Sequence, residues 1–117
     1  MLLLALALAI PVAGAGRADA QTYPDRPVRL IVPFPPGGAT DVNARILAAE
    51  LTALLKQPFV IDNRPGASGT IGIDMVAKSA PDGYTLGVSG VGPTSILPII
   101  DPKLPYNPAR DLDIVAG

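Results

Sequence analysis

Few residues in this chain are equipped for chemistry, and the absences narrow the field first. Neither histidine nor cysteine occurs among the 117 residues. That removes the commonest general base, the Ser-His triad, thiol nucleophiles and most zinc sites. What remains is three short stretches rich in glycine and hydroxyls: Val32-Pro33-Phe34-Pro35-Pro36-Gly37-Gly38-Ala39-Thr40-Asp41, then Asp62-Asn63-Arg64-Pro65-Gly66-Ala67-Ser68-Gly69-Thr70-Ile71-Gly72, then Gly90-Val91-Gly92-Pro93-Thr94-Ser95. Pro33, Pro35 and Pro36 cannot continue a strand ladder, while Gly37 and Gly38 allow backbone angles and close approaches that a Cβ resists. A helix opening after such a loop carries roughly half a positive charge at its N-terminus and holds a carboxylate or phosphate without any lysine or arginine.

Other chemistries fit these stretches less well. Gly66, Gly69 and Gly72 do not have the spacing of the dinucleotide fingerprint, and no G-K-[ST] follows as a phosphate-binding loop requires. A hydrolase built on Ser68 or Ser89, with Asp41 or Asp62 nearby, needs an activating base, and only Lys56, Lys78, Lys103 or a carboxylate is available. None of these sits at a telling spacing, so the chain is not expected to be an enzyme. The hydroxyls of Ser68 and Thr70 are better suited to line a second anion-friendly helix terminus.

The elements that must position the loops follow from periodicity. Val28 to Val32 is a short β-rich run between prolines, with Arg29 arguing for an edge or a solvated face. From Asp41 to Lys56 the period turns helical, with Val42, Ile46, Leu47, Leu51, Leu54 and Leu55 on one stripe. Thr40 or Asp41 is expected to supply the N-cap oxygen, and Lys56 suits the C-terminus. Phe59-Val60-Ile61 reads as a second strand, and a helix from about Thr70 to Ser79 follows, with Ile71, Met75 and Val76 on one side. Pro81-Asp82-Gly83 is a turn, and Tyr84 to Ser89 is a third strand. A short apolar segment, Ile96 to Ile100, follows the third loop, then a proline-rich irregular stretch to Pro108, and a strand is expected to begin at Leu112. A βαβαβ order of this kind predicts an α/β fold with a parallel sheet, right-handed connections and helices on both faces. All three loops then leave the carboxyl ends of the strands, where such sheets bind ligands.

Composition agrees with a folded domain that has no use for nucleic acid. Hydrophobic residues make up 49%, the net charge is −1 with both signs scattered, and aromatics are only 4%. Met1 to Ile10 is almost unbroken Leu, Ala and Ile, and small residues lead to Ala18-Asp19-Ala20. The pattern predicts a secretory signal over 1–20 with cleavage before Gln21, and its missing positive start suggests that translation begins upstream of Met1. Gln21 to Pro27 is polar, with two prolines, and suits an exposed lead-in.

Several of these blocks together resemble one family. They are Tyr23-Pro24 with the run from Arg26 through Gly38 and with Asp41, then Asn63-Arg64-Pro65-Gly66-Ala67-Ser68-Gly69 with Gly72. Pro81-Asp82-Gly83-Tyr84-Thr85-Leu86 and Leu104-Pro105-Tyr106-Asn107-Pro108 with Asp111 complete the set. In register from about Tyr23 to Gly117, the chain resembles the Bug (TctC-like) receptors, the extracytoplasmic solute-binding proteins of tripartite tricarboxylate transporters.

The resemblance implies a periplasmic two-domain clamshell that closes on a small carboxylate and delivers it to membrane permease subunits, without a cofactor or metal. It implies ligand contacts from Phe34, Pro35, Gly37, Gly38, Thr40 and Asp41 in the first loop and from Ala67, Ser68, Gly69 and Thr70 in the second. Ser89 and Thr94 are the third-loop contacts it suggests. Leu97 precedes Pro98 where the family often has a polar residue, so no contact is carried over there. Family members continue well beyond Gly117, so 21–110 is expected to be the first segment of one ligand-binding domain and 111–117 the start of the crossing towards the other. The expected product is a truncated parallel-sheet lobe, poorly soluble alone because its last strand lacks a partner. A sensory module for a membrane signalling partner is the functional alternative.

Overall fold

In a computed structural model describing residues 22–116, the chain runs β1 (Val28–Val32), α1 (Ala39–Leu55), β2 (Phe59–Asn63), α2 (Thr70–Ala77), β3 (Thr85–Gly87), α3 (Leu97–Ile100) and α4 (Pro108–Asp111). The signal segment expected over 1–20 lies outside the described residues. All three strands are parallel in the order β2-β1-β3, with Leu30 opposite both Ile61 and Leu86. The chain crosses from central β1 to β2 and then back from β2 past β1 to β3, so its two connections run in opposite directions, and the right-handed rule for parallel strands places their helices on opposite faces. Alternation along β1 matches this. Val28, Leu30 and Val32 form the core with Ala44 and Ala48 of α1 and with Phe59. Arg29 points to the other face, where its guanidinium reaches the Met75 sulfur of α2 at 3.7 Å.

Arg29 therefore does not mark an edge, because β1 is the central strand. Its charge is met by Asp62 of β2, whose carboxylate accepts from the Arg29 Nε at 2.6 Å and from Arg64 Nε at 2.8 Å. Burial alone would raise the Asp62 carboxyl, but the bonds from Arg64 and Arg29 outweigh it and hold it below its ordinary value.

The expected stripe on α1 is rotated. Asp41, Ala44 and Ala48 are the buried residues, with Leu51 and Leu55 packed against the core. Val42, Ile46, Leu47 and Leu54 are 48%, 59%, 47% and 74% exposed. The reason is close approach: two alanines one turn apart let the helix backbone come down on β1, which turns the larger side chains outward. Similarly, α2 buries Gly72 and Ile73 while Ile71 is exposed. The N-cap of α1 is Gly38 with no side-chain cap, rather than Thr40 or Asp41. At the other end Lys56 takes a left-handed conformation, φ 59°, and its N–H closes on the Thr52 carbonyl at 3.0 Å.

Three boundaries also move. The third strand is shorter than Tyr84 to Ser89 and holds only Thr85–Gly87. Gly92–Ile96 winds as one wide π turn into α3. No strand forms over Leu112 to Ala116; instead α4 makes one turn, with the Asn107 side chain accepting from Ala109 N–H and the Asp111 carboxylate accepting from Asn107 N–H at 2.8 Å. The polar lead-in is anchored at the amino end of the sheet. Tyr23 donates to the Gly83 carbonyl at 2.6 Å, and the Arg26 guanidinium lies 4.0 Å from the centre of the Tyr84 ring. Among the described residues no helix is long and apolar enough to cross a membrane.

Candidate functional site

The three loops leave the carboxyl ends of β1, β2 and β3 and meet at Gly69. This residue is buried at φ +93°, and a Cβ built on it would lie 2.8 Å from Pro93 Cγ, 3.4 Å from Phe34 Cζ and 3.6 Å from Pro33 Cβ. Only a hydrogen fits where the second loop passes between the first and the third. One turn on, a Cβ on Gly72 would come within 2.7 Å of Pro33 Cβ and 3.0 Å of the Arg64 carbonyl, so α2 seats directly on the end of β1.

In the first loop Phe34 is half-buried, and Pro35, Gly37, Gly38 and Ala39 are exposed. Gly37 turns the chain at φ +86°, and its N–H is donated to Asp41 Oδ2 at 2.8 Å. That donor is occupied. Val42 N–H to Gly38 carbonyl, 3.0 Å, is the first backbone bond of α1, so the amides of Gly38, Ala39, Thr40 and Asp41 precede the ladder. Thr40 is half-buried beside them.

Asp41 faces inward instead. Its side chain is only 3% exposed, Oδ2 also accepts from Arg45 Nε at 2.9 Å, and Oδ1 accepts from Asn63 Nδ2 at 2.9 Å. Arg45 first, then Gly37 N–H and Asn63, hold the carboxyl well below the usual carboxylate range.

The second loop stores strain at exposed positions. Ala67 and Ser68 stand at φ +47° and +55°, a conformation that costs about 1–2 kcal/mol for each residue with a Cβ. Within it, Gly69 N–H bonds the Gly66 carbonyl at 3.0 Å and Thr70 N–H bonds the Ala67 carbonyl. The amides of Ala67 and Ser68 stand outside those bonds, so the donors this loop leaves unladdered are these two rather than those of Gly69 and Thr70. Thr70 opens α2, and its hydroxyl faces the phenol of Tyr106.

The third loop is tied to itself and to Tyr106. Thr94 donates to the Gly90 carbonyl at 2.9 Å, and the exposed Ser89 hydroxyl turns to the same carbonyl at 3.3 Å. Both expected hydroxyls are thus directed within the loop. Tyr106, buried, donates to the Pro93 carbonyl at 2.8 Å, and burial, with Asp74 adding to it against the Thr70 hydroxyl, pushes its phenol upward.

Asn63 and Tyr106 are the parts that residue types alone did not single out. The i, i+4 spacing of Asp41 and Arg45 signals their ion pair, but nothing local says that Asn63 completes it. Both cations that flank the loops in sequence, Arg45 and Arg64, are in ion pairs with Asp41 and Asp62. Among the described residues no group of acidic side chains is arranged to hold a metal ion.

The family model described as the tripartite tricarboxylate transporter family receptor matches residues 43–117. The chain belongs to this family. Its members are periplasmic solute-binding proteins. Protein BugT of Bordetella pertussis is 50% identical over 113 residues, which cover 95% of this chain and 35% of BugT. MatC from Rhodopseudomonas palustris, solved with bound malate, superposes at a TM-score of 0.72 with 44% identity, over 76% of this chain and 30% of MatC. A second R. palustris protein, solved with adipate, matches at 0.71 and 44%, over 74% of this chain and 29% of that protein. This receptor-family chain spans about a third of the length of the curated relatives it matches.

Proposed function

We propose that this chain supplies the first lobe of an extracytoplasmic receptor that captures a small carboxylate and delivers it to the membrane permease subunits of a tripartite transporter. The observation that carries this is the meeting of three loops at Gly69, with unladdered amides on the first two. The amides of Gly38, Ala39, Thr40, Ala67 and Ser68, with the hydroxyl of Ser68, would hold carboxylate oxygens. Phe34, Pro35 and Gly69 would shape the wall, and Ser89 and Thr94 would border it. Malate and adipate in two similar structures support this ligand class. Export by the 1–20 segment, a first-domain segment over 21–110 and the start of a crossing over 111–117 belong to the same proposal. Closure of a second lobe would complete the site and exclude water.

Calorimetry on a family-length receptor carrying this chain, titrated with malate, adipate and citrate, tests the proposal. Binding of at least one is expected, and failure of all three would overturn it.

A further inference from the structure

The side chains of Asp41, Arg45 and Asn63 close a ring that joins α1 to the end of β2. Asp41 Oδ2 accepts from Arg45 Nε at 2.9 Å, Arg45 Nη2 donates to Asn63 Oδ1 at 3.2 Å, and Asn63 Nδ2 donates to Asp41 Oδ1 at 2.9 Å. Two backbone groups of the first loop are pinned to this ring. Gly37 N–H donates to Asp41 at 2.8 Å, and the Phe34 carbonyl accepts from Asn63 Nδ2 at 3.1 Å. Asn63 itself is held, since it pairs with Val32 in the β1–β2 ladder and the next amide, Arg64 N–H, bonds the Val32 carbonyl at 2.8 Å.

From this geometry we infer that the side chains of Asp41 and Asn63 are positioning groups that fix the first donor loop against the strand from which the second donor loop departs, and that the Asp41 carboxylate does not contact the ligand. The inference rests on the carboxylate-receptor proposal above. Three donors converge on the Asp41 carboxylate, and its side chain is 3% exposed. A ligand carboxylate placed against it would meet a like charge; placed on the amides of Gly38 to Thr40, it meets donors whose direction the ring sets. Gly37 N–H serves the ring, so it is a structural donor and not a ligand donor. Fixed donors cost no ordering on binding, which is how a residue behind the loop raises affinity.

The test uses a family-length receptor carrying this chain, with malate and adipate as probes and with Asp41→Ala, Asn63→Ala, the double variant and Arg26→Ala. Arg26 lies at the amino end of the sheet and controls for general loss of stability. Calorimetry is paired with hydrogen exchange at the Gly37 amide in the ligand-free protein. Asn63→Ala and Asp41→Ala are each expected to weaken binding about tenfold, and the double variant no more than about threefold beyond the worse single, because the ring acts as one unit. Gly37 exchange is expected to speed up in both, and Arg26→Ala to leave binding and Gly37 exchange unchanged. Should Asp41→Ala fail to fold, Asn63→Ala decides by itself. Wild-type binding with Asn63→Ala within about twofold overturns the inference and leaves the receptor proposal standing. A wild type that binds no carboxylate overturns the receptor proposal and this inference with it.

Discussion

Gly69 lies so close to Pro93 that a Cβ on it would stand 2.8 Å from the proline Cγ. The contact between the second and third loops therefore depends on a hydrogen atom. Gly69→Ala combines this overlap with a positive φ of +93° and is expected to destabilise the protein by about 2–4 kcal/mol in urea titrations. Gly90→Ala, where nothing lies within 4 Å, is expected to stay within about 0.5 kcal/mol. Equal effects of the two would show that the loops do not pack as described.

Gly38 offers a cleaner deletion. Its φ of −76° suits proline, and a Cβ there meets only the Pro35 carbonyl at an ordinary 3.7 Å. Gly38→Pro thus removes one amide donor at a position whose φ already matches the proline ring. Carboxylate affinity is expected to fall about tenfold to a hundredfold with little change in the thermal midpoint. Unchanged affinity in calorimetry would remove this amide from the site.

Tyr106→Phe leaves the Pro93 carbonyl without its buried donor. A cost of about 1–3 kcal/mol is expected from chemical denaturation, since the orphaned acceptor stays desolvated. Weaker carboxylate binding should accompany it, because Pro93 then no longer bears firmly on Gly69.

Acid should destabilise the fold over a definite range. The Asp111 carboxyl is pulled from 3.8 to about 2, chiefly by Arg110 and then by the Asn107 N–H, and Asp41 and Asp62 are also held low. A folded-state value below the unfolded one gives stability that is complete above the unfolded value and is lost as the pH falls through the folded one. Urea midpoints are expected to be flat near pH 5 and to drop between 3.8 and about 2. Asp111→Asn should flatten part of that drop, and a drop unaltered by it would mean that the Arg110 pair contributes nothing.

The chain's own pattern determined not α3 or α4 but the order of strands and helices from β1 to β3, the parallel sheet and the places where loops emerge. Those depend on local signals: prolines that end Val28–Val32, glycines that turn the loops, and the change from period two to 3.6. It also excluded histidine and thiol chemistry by composition alone. Tertiary packing decided which face of α1 is buried, because a helix lying close on β1 selects Ala44 and Ala48 over larger leucines. It decided which amides are free, because Gly37, Gly69 and Thr70 give theirs to partners set by the folded loop. Above all it joined Asp41 to Asn63, 22 residues away, through the β1–β2 register, and a contact of that range has no local signal.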